Sequence, residues 1–302
     1  MEMLNSKSNI NFIGQRKIAY VLSIIMIVGS IGTLLFQGLN FGIDFSGGTL
    51  VQVKFQTPPD IKEIRNSLSS LDLGDIVIQE FGSPEEILIR VEKQVTDAKA
   101  QNELSQKIVE ALKPVAGKNK IDLRRVEFVG PQVGAELTEK GIMAVIYSMI
   151  AILVYVAWRF EMRFAYGAVL ALVHDLGITI GFFSLMQKEF TLVVVAALLT
   201  VIGYSLNDTI VVYDRIREEM KRYKNKELTY VINEAVNRTL SRTMITSLTT
   251  LLVLVALLVL GGEVIHDFAL TLFLGVLIGT YSSIFVASPI VLLLNKGKAK
   301  KA

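Results

Sequence analysis

The sequence predicts a polytopic α-helical membrane protein, with six membrane helices and a small α+β domain between the first and the second. Of its 302 residues, 52% are hydrophobic, whereas a soluble domain averages about 45–50% even when glycine is counted. The hydrophobic residues cluster into long runs at 18–36, 141–157, 164–186, 191–213, 243–260 and 268–294. An apolar run of about 18 residues or more with few charges is typical of a membrane helix. A soluble enzyme, a fibrous chain and a disordered chain are therefore excluded.

The first apolar run is predicted to be transmembrane helix 1, at residues 18–38, rather than a cleaved signal peptide. It is longer than the apolar region of about 7–15 residues in a signal peptide, and no A-x-A-like cleavage site follows it. About 100 polar residues follow, and the remaining five runs then come in close succession. We therefore expect residues 137–295 to hold transmembrane helices 2–6.

Basic residues in the connections predict the orientation of these helices. Cytoplasmic loops are rich in Lys and Arg. With six helices, all the basic segments fall on one side of the membrane: 1–17, 159–163, 214–242 and 296–302. On the opposite side, the links 187–190 and 261–267 contain a single Lys or Arg residue, Lys188. We therefore predict a multi-pass protein of the inner or plasma membrane, with both termini cytoplasmic, a basic cytoplasmic segment at 214–242 and a basic tail at 296–302. Trp158 is expected to anchor its helix at the membrane surface.

Residues 39–136 are predicted to form an extracytoplasmic domain of ferredoxin-like, βαββαβ order. Long outside domains cross the membrane regardless of charge, so the basic residues of this segment do not contradict the orientation. Strands are expected at 49–55, 75–80, 86–91 and 121–128, with helices opened by Asp60 and by Asp97. This order is that of a split βαβ fold. Two consecutive arginines, Arg124 and Arg125, interrupt the alternation of the last strand and are predicted to mark a bulge.

The glycine-rich segment 41–49, FGIDFSGGT, is predicted to be a turn rather than a nucleotide site. A phosphate-binding loop would carry Lys-Ser or Lys-Thr after its glycines and would open a helix, whereas a strand follows here. The chain also has no cysteine, which excludes disulfides, iron–sulfur clusters, thiolate metal sites and cysteine nucleophiles. We expect no cofactor, no resident metal and no enzymatic chemistry. The net charge of +3 gives no indication of nucleic-acid binding.

Ionisable residues inside the apolar runs are the candidate functional residues. A charged residue at the centre of a membrane helix costs about 2.5–3.5 kcal/mol on insertion scales, and such residues are functional by default. Asp175 lies in the third run, Asp208 in the fourth, and Arg242 at the cytoplasmic entrance of the fifth. Since the fourth and fifth helices are antiparallel and joined by a cytoplasmic segment, Asp208 and Arg242 are predicted to lie at similar depth on facing helices.

Asp208 is predicted to act as a proton relay with Arg242. A desolvated, unpaired carboxyl favours its protonated form, and one beside a guanidinium favours its ionised form. A residue that alternates between these environments can take up a proton on one side and release it on the other. Asn207, Ser205 and Thr246 are candidate supporting residues. Asp175 either belongs to the same relay or only bonds to a neighbouring helix, and the adjacent His174 is expected to be a packing residue.

Small and hydroxylated residues give further expectations for the membrane helices. The Ser and Thr residues at the start of the fifth helix either line a wet path or form interhelical hydrogen bonds. Two small-xxx-small pairs, Gly177 with Gly181 and Gly275 with Gly279, are predicted to be helix-packing seams.

Three long motifs carry a resemblance to a known family. They are FGIDFSGGT at 41–49, GYSLNDTIVVYDRIR at 203–217 and NRTLSRTMITSLTTL at 237–251. Together with the spacing of the apolar runs, they resemble the SecF branch of the SecD/SecF family of protein-export membrane proteins. The resemblance implies membership of the resistance–nodulation–division superfamily, whose members couple ion flow to work on the outer side. It also implies that the family's relay carboxylate and arginine map onto Asp208 and Arg242.

The function expected from this resemblance is that of a Sec-pathway protein-transport subunit. Proton (or sodium) flow, driven by the proton motive force or its sodium equivalent, would power preprotein translocation and release on the outer side. The implied partners are SecD, the Sec translocon channel and an unfolded preprotein. Two alternatives stay open: a small-molecule/proton antiporter of the same superfamily, and a structural subunit that only stabilises a channel.

Overall fold

The computed structural model describes residues 9–92, 98–117 and 119–295. In chain order its elements are α1 (Arg16–Phe36), β1 (Asn40–Phe41), α2 (Ile43–Ser46), β2 (Gly48–Lys54), α3 (Ile61–Leu68), β3 (Ile76–Phe81), β4 (Ser83–Val91), α4 (Ala98–Ala116), β5 (Asp122–Val129), α5 (Pro131–Arg159), α6 (Met162–Met186), β6 (Glu189–Phe190), α7 (Leu192–Arg222), α8 (Leu228–Leu260), α9 (Glu263–Ser282), a π-helical turn (Ser283–Ala287) and α10 (Ser288–Asn295). Asp97 and the tail 296–302, which carried sequence-based predictions, lie outside the described residues.

Six helical stretches of the described chain are long and apolar enough to cross a membrane. They are α1, α5, α6, α7, α8 and the continuous helix formed by α9, the π-helical turn and α10. The predicted fold class is therefore confirmed, and the chain is a multi-pass membrane protein. Two compact units are present: a membrane unit that contains 143–188 and 193–295, and a sheet unit of 41–142 with 189–192.

Three helices extend further than the apolar runs. The second membrane helix, α5, begins at Pro131, inside the segment 39–136 that had been assigned to the outside domain. Its first turns are polar, so hydrophobicity gave no signal for them, although proline suits the first position of a helix. The basic segment 214–242 is mostly helical as well, because α7 continues to Arg222 and α8 begins at Leu228.

The glycine pairs confirm the predicted packing seams in the membrane unit. A Cβ at Gly181 of α6 would lie 2.2 Å from the Cβ of Ser30 in α1. A Cβ at Gly275 of α9 would lie 2.2 Å from a methyl of Val201 in α7. Small residues at these positions let the helix backbones approach closely, as helix association in a membrane requires. The most buried helices are α6, α7 and α9 with its continuation, and this centre of the unit holds both buried aspartates.

The sheet unit has the predicted βαββαβ order. Its four antiparallel strands lie in the order β3-β4-β2-β5, and the core between the sheet and α3 and α4 is apolar, with Val53, Ile64 and Ile108 fully buried. The predicted cap of α3 is present, since Asp60 accepts a hydrogen bond from the Lys62 amide at 2.8 Å. The predicted bulge is also present: Gln52 pairs with Arg125 and Val53 with Leu123, which leaves Arg124 as the extra residue.

The glycine-rich segment feeds the first strand of the main sheet, as predicted. Gly48 has φ +116°, and a Cβ there would lie 2.6 Å from the Val91 carbonyl oxygen on β4. Only glycine fits this approach of two backbones. The one-turn helix α2 precedes it, with Ser46 donating to the Gly42 carbonyl at 3.0 Å. The segment is thus a structural turn that starts the sheet.

Candidate functional site

Asp208 lies on the buried face of α7. Val201, Ser205, Asp208 and Val212 are all buried, because residues three or four apart share one side of a helix. Asp208 is 6% exposed, and its Oδ1 accepts a hydrogen bond of 3.1 Å from the Thr243 hydroxyl of α8. The α7 and α8 helices therefore face each other at this depth, as the sequence predicted for Asp208 and Arg242.

The second carboxylate oxygen of Asp208, Oδ2, is buried and has no hydrogen-bond partner among the described residues. Arg242, next to Thr243, is near enough to act electrostatically on Asp208. In the described part of the chain, however, no ion pair of 4.0 Å or less joins the two. Arg242 instead has an exposed side chain and lines an open cavity of about 680 Å³ between α5, α7 and α8. Asp208 thus has a buried carboxylate with incomplete hydrogen bonding, and the nearby Arg242 has its side chain in this cavity.

Asp175 is the second buried carboxylate, and its surroundings are different. It is 0% exposed, and its Oδ2 accepts hydrogen bonds from Ser205 of α7 at 2.6 Å and from Ser282 of α9 at 2.8 Å. Its Oδ1 lies 2.9 Å from Nδ1 of His174. Buried carboxylates require such donors. Asp175 therefore ties α6 to α7 and α9 through a fully bonded carboxylate.

His174 extends this network to α1. Its Nε2 lies 3.2 Å from the Ser23 hydroxyl, which lies 3.0 Å from the hydroxyl of Tyr281. Tyr281 stacks on the imidazole and donates to the Ala19 carbonyl at 2.8 Å. His174 was predicted to be a packing residue, and it does pack against Tyr281, but both of its ring nitrogens also have polar partners. Ser23 and Tyr281 were missed, since single hydroxyls in an apolar run give no distinctive pattern.

Consecutive serines lie near the two carboxylates. Ser282 donates to Asp175, and Ser283 lies near Asp208 while it donates to the Thr280 carbonyl at 3.0 Å. The π-helical turn begins at Ser283, and π-helical turns occur frequently at functional sites. Ser282 and Ser283 thus lie near different carboxylates, and Asp175 and Asp208 belong to one polar region of the membrane unit.

The three candidate supporting residues lie in different places. Ser205 bonds to Asp175 rather than to Asp208. Asn207 is exposed, because it is one residue, or about 100°, from Asp208 around the helix. Thr246 donates to the carbonyl of Arg242 at 2.9 Å within α8.

The hydroxyls at the start of the fifth membrane helix serve mainly as hydrogen-bond donors between and within helices. Thr243 reaches Asp208 on α7, and Ser247 lies 2.7 Å from the Thr280 hydroxyl on α9. Thr249 and Thr250 bond to carbonyls of their own helix. Among the described residues, no cluster of three His, Asp or Glu side chains could hold a metal ion.

Known families and relatives match nearly the whole chain. The family described as "Protein export membrane protein SecD/SecF, C-terminal" matches residues 107–297, and the "SecD/SecF GG Motif" matches residues 32–59. Protein translocase subunit SecF of Magnetococcus marinus is 64% identical over 301 residues, which cover 100% of this chain and 97% of that protein. The protein of the same name from Calditerrivibrio nitroreducens is 50% identical over 297 residues, with 98% and 97% covered.

A solved structure shares the fold. It is the crystal structure of SecDF, described as a translocon-associated membrane protein, from Thermus thermophilus. The similarity has a TM-score of 0.87 at 36% sequence identity and covers 97% of this chain but 40% of that one. The chain therefore spans about 40% of the length of the SecDF protein it matches.

Proposed function

Since the chain belongs to the SecD/SecF family of protein-export membrane proteins, we propose that it is an ion-driven subunit of the Sec protein-export machinery. Proton (or sodium) flow through its membrane helices drives preprotein translocation and release on the outer side. Its partners are SecD, the Sec translocon channel and the unfolded preprotein. It carries out no covalent chemistry.

The observation that carries this proposal is the incomplete bonding of Asp208. One of its oxygens has a donor, Thr243, and the other is buried with no partner among the described residues. A buried carboxylate that served only for packing would be expected to have its hydrogen bonds satisfied. Asp208 therefore has an oxygen available to a proton or a cation.

Arg242 supplies the second state of the relay. When a proton leaves Asp208, the carboxylate is stabilised by an approach of the guanidinium, and when a proton binds, that attraction is lost. Each charge that crosses a potential of 100 mV yields about 2.3 kcal/mol. A few ions per cycle are therefore sufficient for repacking of the helices, and the work on the outer side follows from that repacking.

Asp175 is included in the relay as its second carboxylate. Its hydroxyl donors come from α7, which also carries Asp208, and from the last residue of α9, which is followed by Ser283 near Asp208. Hydroxyls can both donate and accept, so a chain of them can pass a proton when it reorients. The path would run from Asp175 through Ser282 and Ser283 to Asp208.

The orientation and membrane are part of the same proposal. Both termini are cytoplasmic, and the protein lies in the cell's inner or plasma membrane. The support is the placement of basic residues, since Lys and Arg are concentrated in cytoplasmic loops. The segments 1–17 and 296–302 are then cytoplasmic, and the domain 39–136 lies outside.

The test is the release of a preprotein from vesicles that contain the translocon, SecD and this chain, under an imposed ion gradient. Asp208→Asn removes the ionisable group at nearly the same size and should abolish the gradient-dependent part of release. The matched control is Asp214→Asn, on the same helix, where the side chain is about half exposed and paired with Arg159. It should leave release unchanged.

The alternatives make different predictions for the same vesicles. If the chain is only a structural subunit, Asp208→Asn and Arg242→Ala would both be silent while deletion of the chain would not. Normal release by an assembled Asp208→Asn complex would therefore contradict the relay. An antiporter would instead move a small solute against the gradient in vesicles without any preprotein.

A further inference from the structure

A basic cleft lies at the ends of α5, α7 and α8 on the side of the basic connections. Six basic and two acidic side chains line this cavity of about 680 Å³. The basic ones are Arg159, Arg215, Arg217, Lys221, Arg238 and Arg242, and the acidic ones are Asp214 and Glu218. The lining therefore carries a formal excess of four positive charges, and of its six cations the proposed relay at Asp208 uses only Arg242.

Half of these cations are already neutralised by carboxylates. Arg159 pairs with Asp214 at 3.2 Å, and Arg215 pairs with Glu218 at 2.6 Å. The third paired cation is Arg238, which contacts Glu234 at 2.6 Å and the buried Glu219 at 3.2 Å. These three arginines line the cleft, but their charges are largely neutralised by the paired carboxylates, so they contribute little to binding an anion.

The other cations have no such partner. Within the described ranges, no carboxylate lies within 4.0 Å of Arg217, Lys221 or Arg242. Arg217 and Lys221 are one turn apart on α7 and so project from one face. Arg217 makes one weak bond, from Nη1 to the Arg159 carbonyl at 3.3 Å. The cleft thus presents uncompensated positive charge, and like charges held together favour an anion between them.

An exposed tryptophan beside the cleft indicates the level of lipid headgroups. Its lining residue Arg159 ends α5 and follows Trp158 directly, and Trp158 is 84% exposed on the surface of the membrane unit. Tryptophan is enriched at the membrane–water interface. Basic pockets between membrane helices on the cytoplasmic side are suited to anionic headgroups. The anion within reach is therefore a membrane lipid.

We propose that the basic cleft binds the phosphate of an anionic phospholipid headgroup, with Arg217 and Lys221 as its principal ligands. Guanidinium groups bind phosphate oxygens through paired N–H donors, and lysine adds a point charge. The same chemistry would accept free phosphate, and the experiment separates these two sources. The proposal is independent of ion transport, because its principal ligands, Arg217 and Lys221, have no role in the proposed relay.

Trp158 provides the probe, since it is the only tryptophan of the chain. The full-length protein is reconstituted in phosphatidylcholine vesicles that contain a fixed fraction of brominated phosphatidylglycerol or, in parallel, brominated phosphatidylcholine. Bromine quenches tryptophan fluorescence on contact. The proposal predicts that phosphatidylglycerol is preferred at Trp158 by about fivefold to thirtyfold, because each of the two uncompensated cations contributes about 1 kcal/mol. Equal quenching by the two lipids in the unaltered protein would overturn the proposal without any variant.

Matched variants assign the preference to the cleft. Arg217→Gln with Lys221→Gln should bring the two lipids to equal quenching. The control is Arg222→Gln with Lys224→Gln, which removes the same charges from neighbouring exposed positions outside the cleft and should keep the preference. An equal loss of the lipid preference in both double variants would show that the preference comes from general surface charge, and it would contradict a binding site in the cleft.

The free-anion source is tested in vesicles of phosphatidylcholine alone. Inorganic phosphate is compared with chloride at equal ionic strength, and the thermal unfolding midpoint is measured. We expect no phosphate-specific rise, because the ligand is a lipid. A rise that is lost in the Arg217→Gln/Lys221→Gln protein, together with no lipid preference, would assign the cleft to free phosphate and overturn the lipid proposal. If neither the lipid preference nor the phosphate-specific rise is found, the lipid proposal is also overturned, and the cleft would instead suit an acidic protein segment.

Discussion

The Thr243 hydroxyl of α8 donates to the Asp208 carboxylate of α7 at 3.1 Å, although Thr243 follows directly after the arginine that was predicted to face Asp208. The hydroxyl holds one carboxylate oxygen, and the adjacent Arg242 stays exposed and forms no short ion pair in the described part of the chain. Asp208 is therefore oriented by the neutral hydroxyl of Thr243. The nearby cation, Arg242, is the residue that precedes Thr243 on α8.

Removal of that donor should weaken the relay without abolishing it. Thr243→Val keeps the shape of the side chain and removes the hydrogen bond to Asp208. We expect gradient-driven preprotein release to fall about two- to tenfold, the equivalent of one ordinary hydrogen bond. Thr243→Ser should retain most of the activity. The control is Thr249→Val, since the Thr249 hydroxyl bonds only to carbonyls of its own helix. A Thr243→Val protein with full release would show that Asp208 needs no orienting donor.

Asp175 should prove necessary for transport rather than for folding alone. Asp175→Asn can still accept the hydrogen bonds of Ser205 and Ser282 through its amide oxygen, but it cannot ionise. We expect release to fall about tenfold or more, as for the loss of a proton-transferring group, while the assembled complex forms in normal amount. Ser282→Ala should give a smaller loss. If Asp175→Asn instead lowers the amount of assembled protein and spares the activity of what remains, Asp175 is structural only.

The packing seam between α7 and α9 should be intolerant of a single methyl group. A Cβ at Gly275 would lie 2.2 Å from a Val201 methyl, and overpacking of this kind costs about 1–3 kcal/mol. Gly275→Ala should therefore lower the thermal midpoint of the detergent-solubilised protein. Gly32→Ala on α1 is the control with the opposite sign, because nothing lies within 4 Å of its added Cβ and alanine favours a helix by about 0.5–1 kcal/mol. Equal thermal unfolding midpoints for Gly275→Ala and Gly32→Ala would contradict close packing of α7 against α9 at Gly275.

The extensions of α7 and α8 beyond the apolar runs should depend on Glu219. This carboxylate is 0% exposed and lies 2.9 Å from Arg215 and 3.2 Å from Arg238. Both arginines are partly solvated, so the loss in Glu219→Gln should fall below the about 3–5 kcal/mol of a fully buried pair, and we expect about 1–3 kcal/mol. Glu218→Gln, at an exposed position on the same turn, should be neutral within about 0.5 kcal/mol. Chemical unfolding followed by circular dichroism measures both.

The sequence was sufficient to predict the six membrane helices, the βαββαβ domain and the facing of α7 and α8 near Asp208 and Arg242, while the relay role of these two residues stays a prediction. In each case one physical rule dominates: apolar length, strand alternation, or the cost of a charge in the membrane. The start of α5 at Pro131 was not predicted, because its first turns are polar and the apolar run begins later. The sequence therefore located helices by hydrophobicity and not by their hydrogen-bonded ends.

The supporting residues of the site were harder to predict, because their roles depend on helix rotation and on neighbours from distant segments. Ser205 was expected near Asp208 but bonds to Asp175, and Asn207 is exposed. Ser23 and Tyr281, which complete the network around His174, come from the first and last membrane helices. Only the packing of those helices brings them together, and no local pattern contains that information.

The passage of an ion through Asp208 is tested most directly by a measurement of ion flux rather than of protein export. Vesicles that contain this chain with SecD are given an imposed proton gradient, or in parallel a sodium gradient, and a trapped fluorescent indicator records entry of that ion. We expect a flux above that of empty vesicles for one of the two ions, its loss in Asp208→Asn, and its retention in Asp214→Asn. An Asp208→Asn complex that assembles normally and conducts like the unaltered one would contradict the account.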